Sequence, residues 1–110
     1  MAKKKHKKTD LTKEGTISFN VQHEHPDWPT NGNGYDFGTI SMLPITVSAR
    51  KDPNGILNIS ITGPFNKTFN FHRVIPPTSY PAFVHVALTW GQKTMQLYLN
   101  GLLAEEAKAK

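Results

Sequence analysis

The chain has 110 residues, which is enough for one domain with a modest hydrophobic core. It contains no cysteine, and this excludes disulfide bonds, thiol nucleophiles and zinc sites built from cysteine. The net charge of +5 belongs to residues 1–13, which hold six lysines and one aspartate, whereas residues 14–110 hold seven basic and seven acidic residues, so no basic face is expected on the folded part.

The first third of the chain predicts a tail, a strand and a long loop. Residues 1–13 combine like charges with no apolar periodicity, so we predict a disordered basic tail. Thr16 to Val21 alternate between apolar and polar side chains, which indicates a half-buried strand. His23 to Gly38 are rich in turn-forming residues and predict a loop, and a loop of this length in a small domain is often functional.

The middle of the chain predicts further strands. Thr39 to Ala49 are expected to form one strand that lies at an edge or carries a bulge at Pro44, because proline donates no hydrogen bond to a sheet. The turn signal Asp52–Gly55 then leads to a strand over Ile56 to Thr62, and these two strands form a hairpin. Another strand is predicted over Thr68 to Val74.

The last third begins with a proline-rich crossing loop, Ile75 to Pro81. Ala82 to Trp90 are almost continuously apolar, which is typical of a strand in the centre of a sandwich. Thr94 to Leu99 alternate, and Asn100–Gly101 favours a tight hairpin turn because both residue types accept positive φ. A last short strand, Leu102 to Glu105, is expected to follow.

These elements add up to six or seven short strands separated by turns, with no convincing helix. This pattern predicts an all-β protein, an antiparallel β-sandwich over residues 14–105, followed by a short C-terminal tail at 106–110. No apolar segment follows the N-terminal charges, and none is long enough to span a membrane. We therefore expect a cytoplasmic location.

Three segments, in this order, suggest a family: Gly15–Phe19 (GTISF), His85–Trp90 (HVALTW) and Leu97–Gly101 (LYLNG). Together they resemble the laminin-G-like and concanavalin A-like lectin/glucanase superfamily, over about residues 14–104. The resemblance implies a small jelly-roll sandwich of two sheets. It also implies a function drawn from a set that includes lectins, glycan hydrolases and adhesion modules.

Members of that superfamily are usually longer, with additional strands at both ends. The resemblance therefore implies either that this chain is a minimal version of the fold, or that its sheets have open edges, which something must cover. Self-association through an edge strand, giving a homo-oligomer, is the hypothesis that follows.

Glycan hydrolysis needs two carboxylates on either side of the scissile bond. The hydrolases of the superfamily carry them at alternate positions of one strand, and no such run occurs here. The nearest pairs, Glu24 with Asp27 and Glu105 with Glu106, are expected in a loop and in the tail. We therefore predict that the protein is not an enzyme and has no catalytic residue.

Metal binding has two candidate sets. His23 and His25 would share a face of an extended chain, with Asp27, His72 or His85 as a third ligand, although two histidines in a polar loop are usually solvated. Calcium could use the loop oxygens of Glu24, Asp27, Asp36 and Asp52, but no dense acidic loop is present. We predict no cofactor, with calcium as the alternative.

The loop His23–Gly38, which we call the aromatic loop, is a better candidate for a binding site than either set of metal ligands. We predict ligand binding by four of its residues: Trp28, Asn31, Asn33 and Tyr35. Rings stack on the C–H faces of sugars, amides pair with sugar hydroxyls, and the nearby glycines let a ligand approach the backbone. In the alternative, Trp28 and Phe37 fold back and cap the sandwich.

The tail offers a second kind of contact, since lysine clusters bind anionic partners such as nucleic acid without sequence preference, although a plain solubility tail is the alternative. Its lysines are Lys3, Lys4, Lys5, Lys7 and Lys8. The leading prediction is a non-catalytic, carbohydrate-binding, lectin-like module. The alternative is a structural or assembly protein that pairs through sheet edges and uses its tail to contact an anionic partner.

Overall fold

Almost all regular structure in the described part of the chain is β-strand. The computed structural model describes residues 10–25, 27–76 and 83–109. One turn of 3-10 helix, Pro64–Asn66, lies among the strands. In chain order the strands are β1 (Gly15–Val21), β2 (Tyr35–Met42), β3 (Ile45–Lys51), β4 (Ile56–Thr62), β5 (Thr68–Val74), β6 (Val84–Gly91), β7 (Thr94–Leu99) and β8 (Leu102–Lys108).

The strands form two antiparallel sheets of four. The first sheet has the order β1-β6-β7-β8, and the second is the meander β2-β3-β4-β5. Alternate residues from both sheets point inward and form one hydrophobic core. The predicted all-β antiparallel sandwich is thereby confirmed, whereas its jelly-roll connectivity stays a prediction.

Strand β6 holds the central place that its apolar composition predicts, between β1 and β7. Val86 and Leu88 are buried in the core, while the outward His85 and Ala87 are half-buried by their neighbours in the sheet. The two hairpins that follow also form as predicted. Asn100 and Gly101 have φ values of 52° and 83°, which a tight turn of primed type requires.

The segment around Pro44 differs from its prediction. In place of one strand over Thr39–Ala49, the chain makes a hairpin, with β2 ending at Met42 and β3 beginning at Ile45. Proline has no N–H to continue a ladder, so the chain turns at Leu43–Pro44, whose peptide bond is cis. The loop predicted over His23–Gly38 is also shorter than expected, because β2 already begins at Tyr35.

The turn at Asp52 forms as predicted and has a clear cause. The Asp52 carboxylate accepts hydrogen bonds from the backbone N–H groups of Asn54 at 2.9 Å and Ile56 at 3.0 Å. The backbone of Asp52 also bonds that of Ile56 and Gly55. This arrangement fixes the start of β4 opposite the end of β3.

An ordered turn, Asp10–Glu14, joins both sheets and overlaps the end of the predicted tail, residues 1–13. The Leu11 carbonyl accepts a hydrogen bond from the Trp90 indole N–H at 2.8 Å, and the Thr12 carbonyl accepts one from the Phe65 N–H at 2.6 Å. Trp90 belongs to the first sheet, and Phe65 to the connection within the second. Hydrogen bonds from Thr12 to the Asp10 carboxylate favour its charged form and lower the pKa of Asp10.

The Asp10–Glu14 turn contacts both sheets ahead of residue 14, and β8 continues past residue 105 to Lys108. The tail lysines 3, 4, 5, 7 and 8 and most of the Ile75–Pro81 crossing loop lie outside the described residues. The anionic partner stays a prediction.

Candidate functional site

A buried lysine holds the aromatic loop in place. Strand β3 turns Ile45, Val47 and Ala49 inward, and Lys51 is the next residue in this row, only 2% exposed. Its ammonium donates hydrogen bonds to the Asn33 carbonyl at 2.6 Å and to Asn31 Oδ1 at 3.4 Å. Burying a charged group costs free energy unless it finds such hydrogen-bond partners. The two hydrogen bonds of Lys51 therefore hold the loop backbone against the end of the sandwich.

Three of the four predicted ligand residues meet around this lysine. The Asn31 amide donates to the Tyr35 hydroxyl at 2.5 Å, and Asn31 Oδ1 accepts the Asn33 N–H at 3.0 Å. The Tyr35 ring centroid lies 5.4 Å from Lys51 Nζ, which is within cation–π range. The prediction did not include Lys51, although its place in the alternating row Ile45–Lys51 was a readable signal.

Histidine rings complete a short column on Tyr35. The His23 ring lies 3.9 Å from the Tyr35 ring, centroid to centroid, and the His25 ring is stacked 5.0 Å from that of His23. His23 is half-buried and His25 is exposed. His23 and Lys51 thus both contact the Tyr35 ring, and the ring left exposed at this end is that of His25.

Trp28 does not join this surface. It is 0% exposed, and its ring meets that of Phe37 edge-on at 5.2 Å. A ring without an exposed face cannot stack on a sugar, so the assignment of Trp28 as a ligand residue does not fit its position. The alternative, in which Trp28 and Phe37 cap the sandwich, describes the contacts that it makes.

The rings of His23 and His25 lie side by side, but the described residues supply no third metal ligand for them. Within the described ranges, no three His, Asp or Glu side chains converge where they could hold a metal ion. Asp36 and Asp52 instead accept backbone N–H groups in their own turns. His72 pairs with Asn58 and His85 with Asn20, in both cases between neighbouring strands.

A second candidate surface is the side of the sandwich where β1 and β2 are the edge strands, which we call the open side. An apolar cleft of about 170 Å³ separates the two strands. Ile40 and Met42 are the inward residues of β2, opposite the buried Val47 and Ile45, yet they are 39% and 41% exposed. The cleft is lined by Phe19, Asn20, Val21, Phe37, Gly38, Thr39, Ile40, Val47 and Ala49.

The opposite side, where β5 and β8 are the edges, is the closed side. Arg73 of β5 and Glu105 of β8 form an ion pair at 3.7 Å between the two sheets. The two edge strands carry four charged residues, Arg73 on β5 and Glu105, Glu106 and Lys108 on β8. By contrast, β1 has no charged residue, and β2 has only Asp36 near its beginning.

Comparisons with protein-family models, with curated proteins and with solved structures found no match to this chain. Its function has to be inferred from its own surfaces. The described part of the chain contains no helix with the length and hydropathy needed to cross a membrane.

Proposed function

We propose that this chain is a non-catalytic assembly module, which associates through the open side of its sandwich. The observation that carries the proposal is the contrast between the two sides. An edge strand offers unpaired N–H and C=O groups to any passing strand, and proteins that must stay apart protect such edges with charge, proline or a covering element. The closed side carries an ion pair between its two edges and three charges on β8, whereas the only charge on the two open-side strands is Asp36, at the beginning of β2.

The apolar surface left on the open side supports the same proposal. Ile40 and Met42 point toward the core but keep about two-fifths of their surface exposed, because no described strand lies beyond β2. Burying apolar area is the main favourable term in protein association. A strand added along β2 would satisfy the backbone of the edge and cover these side chains together.

A single charge on β2 should test this function. Lysine at position 40 would place an ammonium group inside the added interface, so Ile40→Lys is expected to weaken association by on the order of a hundredfold. Sedimentation velocity of the full chain over a range of concentrations would measure it. The wild type should sediment above its monomer mass of 12.3 kDa, and Ile40→Lys as a monomer.

The matched control is Val74→Lys, which adds the same charge to an exposed apolar position on β5. It should associate like the wild type. Far-UV circular dichroism would establish that both variants are folded. A wild type that stays monomeric at high concentration, or a Val74→Lys variant as impaired as Ile40→Lys, would refute the proposal.

A carbohydrate ligand is the second candidate function, and the Lys51-anchored loop favours it. Asn33 is exposed on a loop fixed through its own carbonyl. The ring of His25 is also exposed, with its centroid 6.5 Å from that of Tyr35. Such a surface could pair with hydroxyls and offer one ring face, but it lacks Trp28. The favoured residues are accordingly Asn31, Asn33 and Tyr35, with His25 added.

Amide NMR of the full chain, titrated with pooled oligosaccharides with and without calcium, tests this candidate. Saturable chemical-shift changes confined to residues 23–35 are expected. Asn33→Ala should weaken sugar binding by roughly fivefold to tenfold, because it removes one hydrogen-bonding amide. Asn54→Ala, which changes another exposed loop asparagine, serves as the control. Absence of shifts at millimolar sugar would remove this candidate and leave assembly unaffected.

A further inference from the structure

The free edge of β2 has a defined length. A bulge between Asp36 and Gly38 interrupts its pairing with β3 near the beginning of the strand. The turn at Leu43–Pro44 ends the strand after Met42. Between these two limits the five residues Gly38–Met42 pair with β3 without a further register shift, with Gly38 at a positive φ of 103° beside the bulge. None of the five is charged, and they are called the regular edge.

We infer that the partner on this edge is a second copy of the chain, whose β2 pairs antiparallel with the first about a two-fold axis at Ile40. The inference rests on the proposed assembly function and names its partner. The two second sheets would then join into one continuous sheet of eight strands. A closed dimer with the same surface on both copies is the usual outcome of such pairing.

The residues of β2 are complementary to themselves in this register. Ile40 lies opposite Ile40 of the other copy, and Gly38 opposite Met42, so the longest side chain of the row meets the residue that has none. On the outer face, Thr39 lies opposite Ser41 on both sides of the axis. Opposed hydroxyl residues and opposed apolar residues both stabilise antiparallel pairs.

Other registers are worse for reasons that follow from the strand itself. A shift by one residue would place apolar side chains opposite Thr39 or Ser41 and turn them to the outer face. A two-fold axis at Thr39 would pair only 38–40 within the regular edge, and one at Ser41 only 40–42, so each uses three of the five residues. The axis at Ile40 is the one that uses all five.

Strand β2 is also a better partner than β1, although both edges lack protective charge. Of the inward residues of β1, Ile17 and Val21 are already buried at 8% and 1% exposure, and Phe19 is half-buried. The corresponding Ile40 and Met42 of β2 are not buried. A second copy therefore removes more apolar surface from water at β2 than at β1.

The lack of cysteine allows a direct test of this register. Thr39→Cys and Ser41→Cys place one thiol each at exposed positions on the outer face. In the inferred dimer, position 39 of one copy directly faces position 41 of the other, within disulfide reach. Identical positions are about 8 Å apart, since they are offset by two residues along the strand, and this is too far for a disulfide.

Equal amounts of the two variants would be mixed at a concentration where the wild type associates, oxidised gently, and resolved by mass spectrometry. Mixed 39–41 dimers should form in clear excess over the share expected from random collision. The matched control mixes Thr16→Cys with Ser18→Cys, which test the same geometry on β1. This control mixture should give the random distribution.

The outcomes separate this inference from the proposed function. A random distribution in the 39/41 mixture, from protein that sediments as an assembly, would overturn the β2 register and leave the assembly function standing. An excess of mixed dimers from the β1 variants would place the second copy on the other edge and overturn it as well. Monomeric protein without disulfide-linked dimers would refute both.

Discussion

Replacing Trp28 with alanine is expected to lower the free energy of unfolding by about 3–5 kcal/mol, the usual cost of removing a buried large aromatic side chain. Trp28 is fully buried and contacts the edge of Phe37, so its removal leaves a cavity between the loop and the core. For a domain of this size the loss is a large share of total stability. Urea denaturation followed by circular dichroism would measure it.

Trp28→Phe serves as the control, because it keeps an aromatic ring in the same place and should lose clearly less stability. If Trp28→Ala unfolded at the wild-type urea concentration but no longer shifted with oligosaccharides, the ligand role first predicted for Trp28 would be restored. The measurement thus decides between the two roles that the sequence left open.

Gly63→Ala is expected to be about as damaging, at about 3 kcal/mol or more. Gly63 has a φ of 123°, which residues with a side chain rarely adopt, and a Cβ built there would overlap the Pro44 carbonyl oxygen. That oxygen belongs to the backbone of the β2–β3 turn, so it cannot move aside cheaply. The shift of the urea midpoint relative to the wild type would report the cost.

Gly101→Ala separates the two causes. Gly101 also has a positive φ, 83°, but no atom lies within 4 Å of the position where its Cβ would be. Gly101→Ala should therefore lower the free energy of unfolding only by the cost of the positive φ, about 1–2 kcal/mol. An equal loss at positions 63 and 101 would mean that the contact with Pro44 contributes nothing.

Much of the fold could be predicted from residue patterns. Alternation over Thr16–Val21 and Thr94–Leu99, together with the turn residues at Asp52–Gly55 and Asn100–Gly101, predicted strands and hairpins that the structure contains. These signals are local, because side-chain alternation and turn chemistry depend on neighbouring residues alone. The hairpin at Pro44 was missed because Leu43–Pro44 lacks the Gly or Asn that usually marks a two-residue turn.

The candidate sites depended on longer-range contacts and were predicted less well. Asn31, Asn33 and Tyr35 do meet, but they meet around Lys51, about twenty residues away in the sequence. The role of Trp28 was also open, because a tryptophan side chain suits both a sugar-stacking surface and a hydrophobic core. The sequence indicated only that the chain has few strands and therefore open sheet edges. It could not show which edges lack charges, because this depends on the order of the strands within each sheet.

The Asp10–Glu14 turn also bears on how the protein would respond to force. A pull on the chain before Asp10 reaches the first sheet through Leu11 and Trp90, and the second sheet through Thr12 and Phe65. The load would be shared between both layers before it could peel β1 away from β6. If residues 1–9 tether the domain to something else, the anchor point is already reinforced where the tether meets the fold.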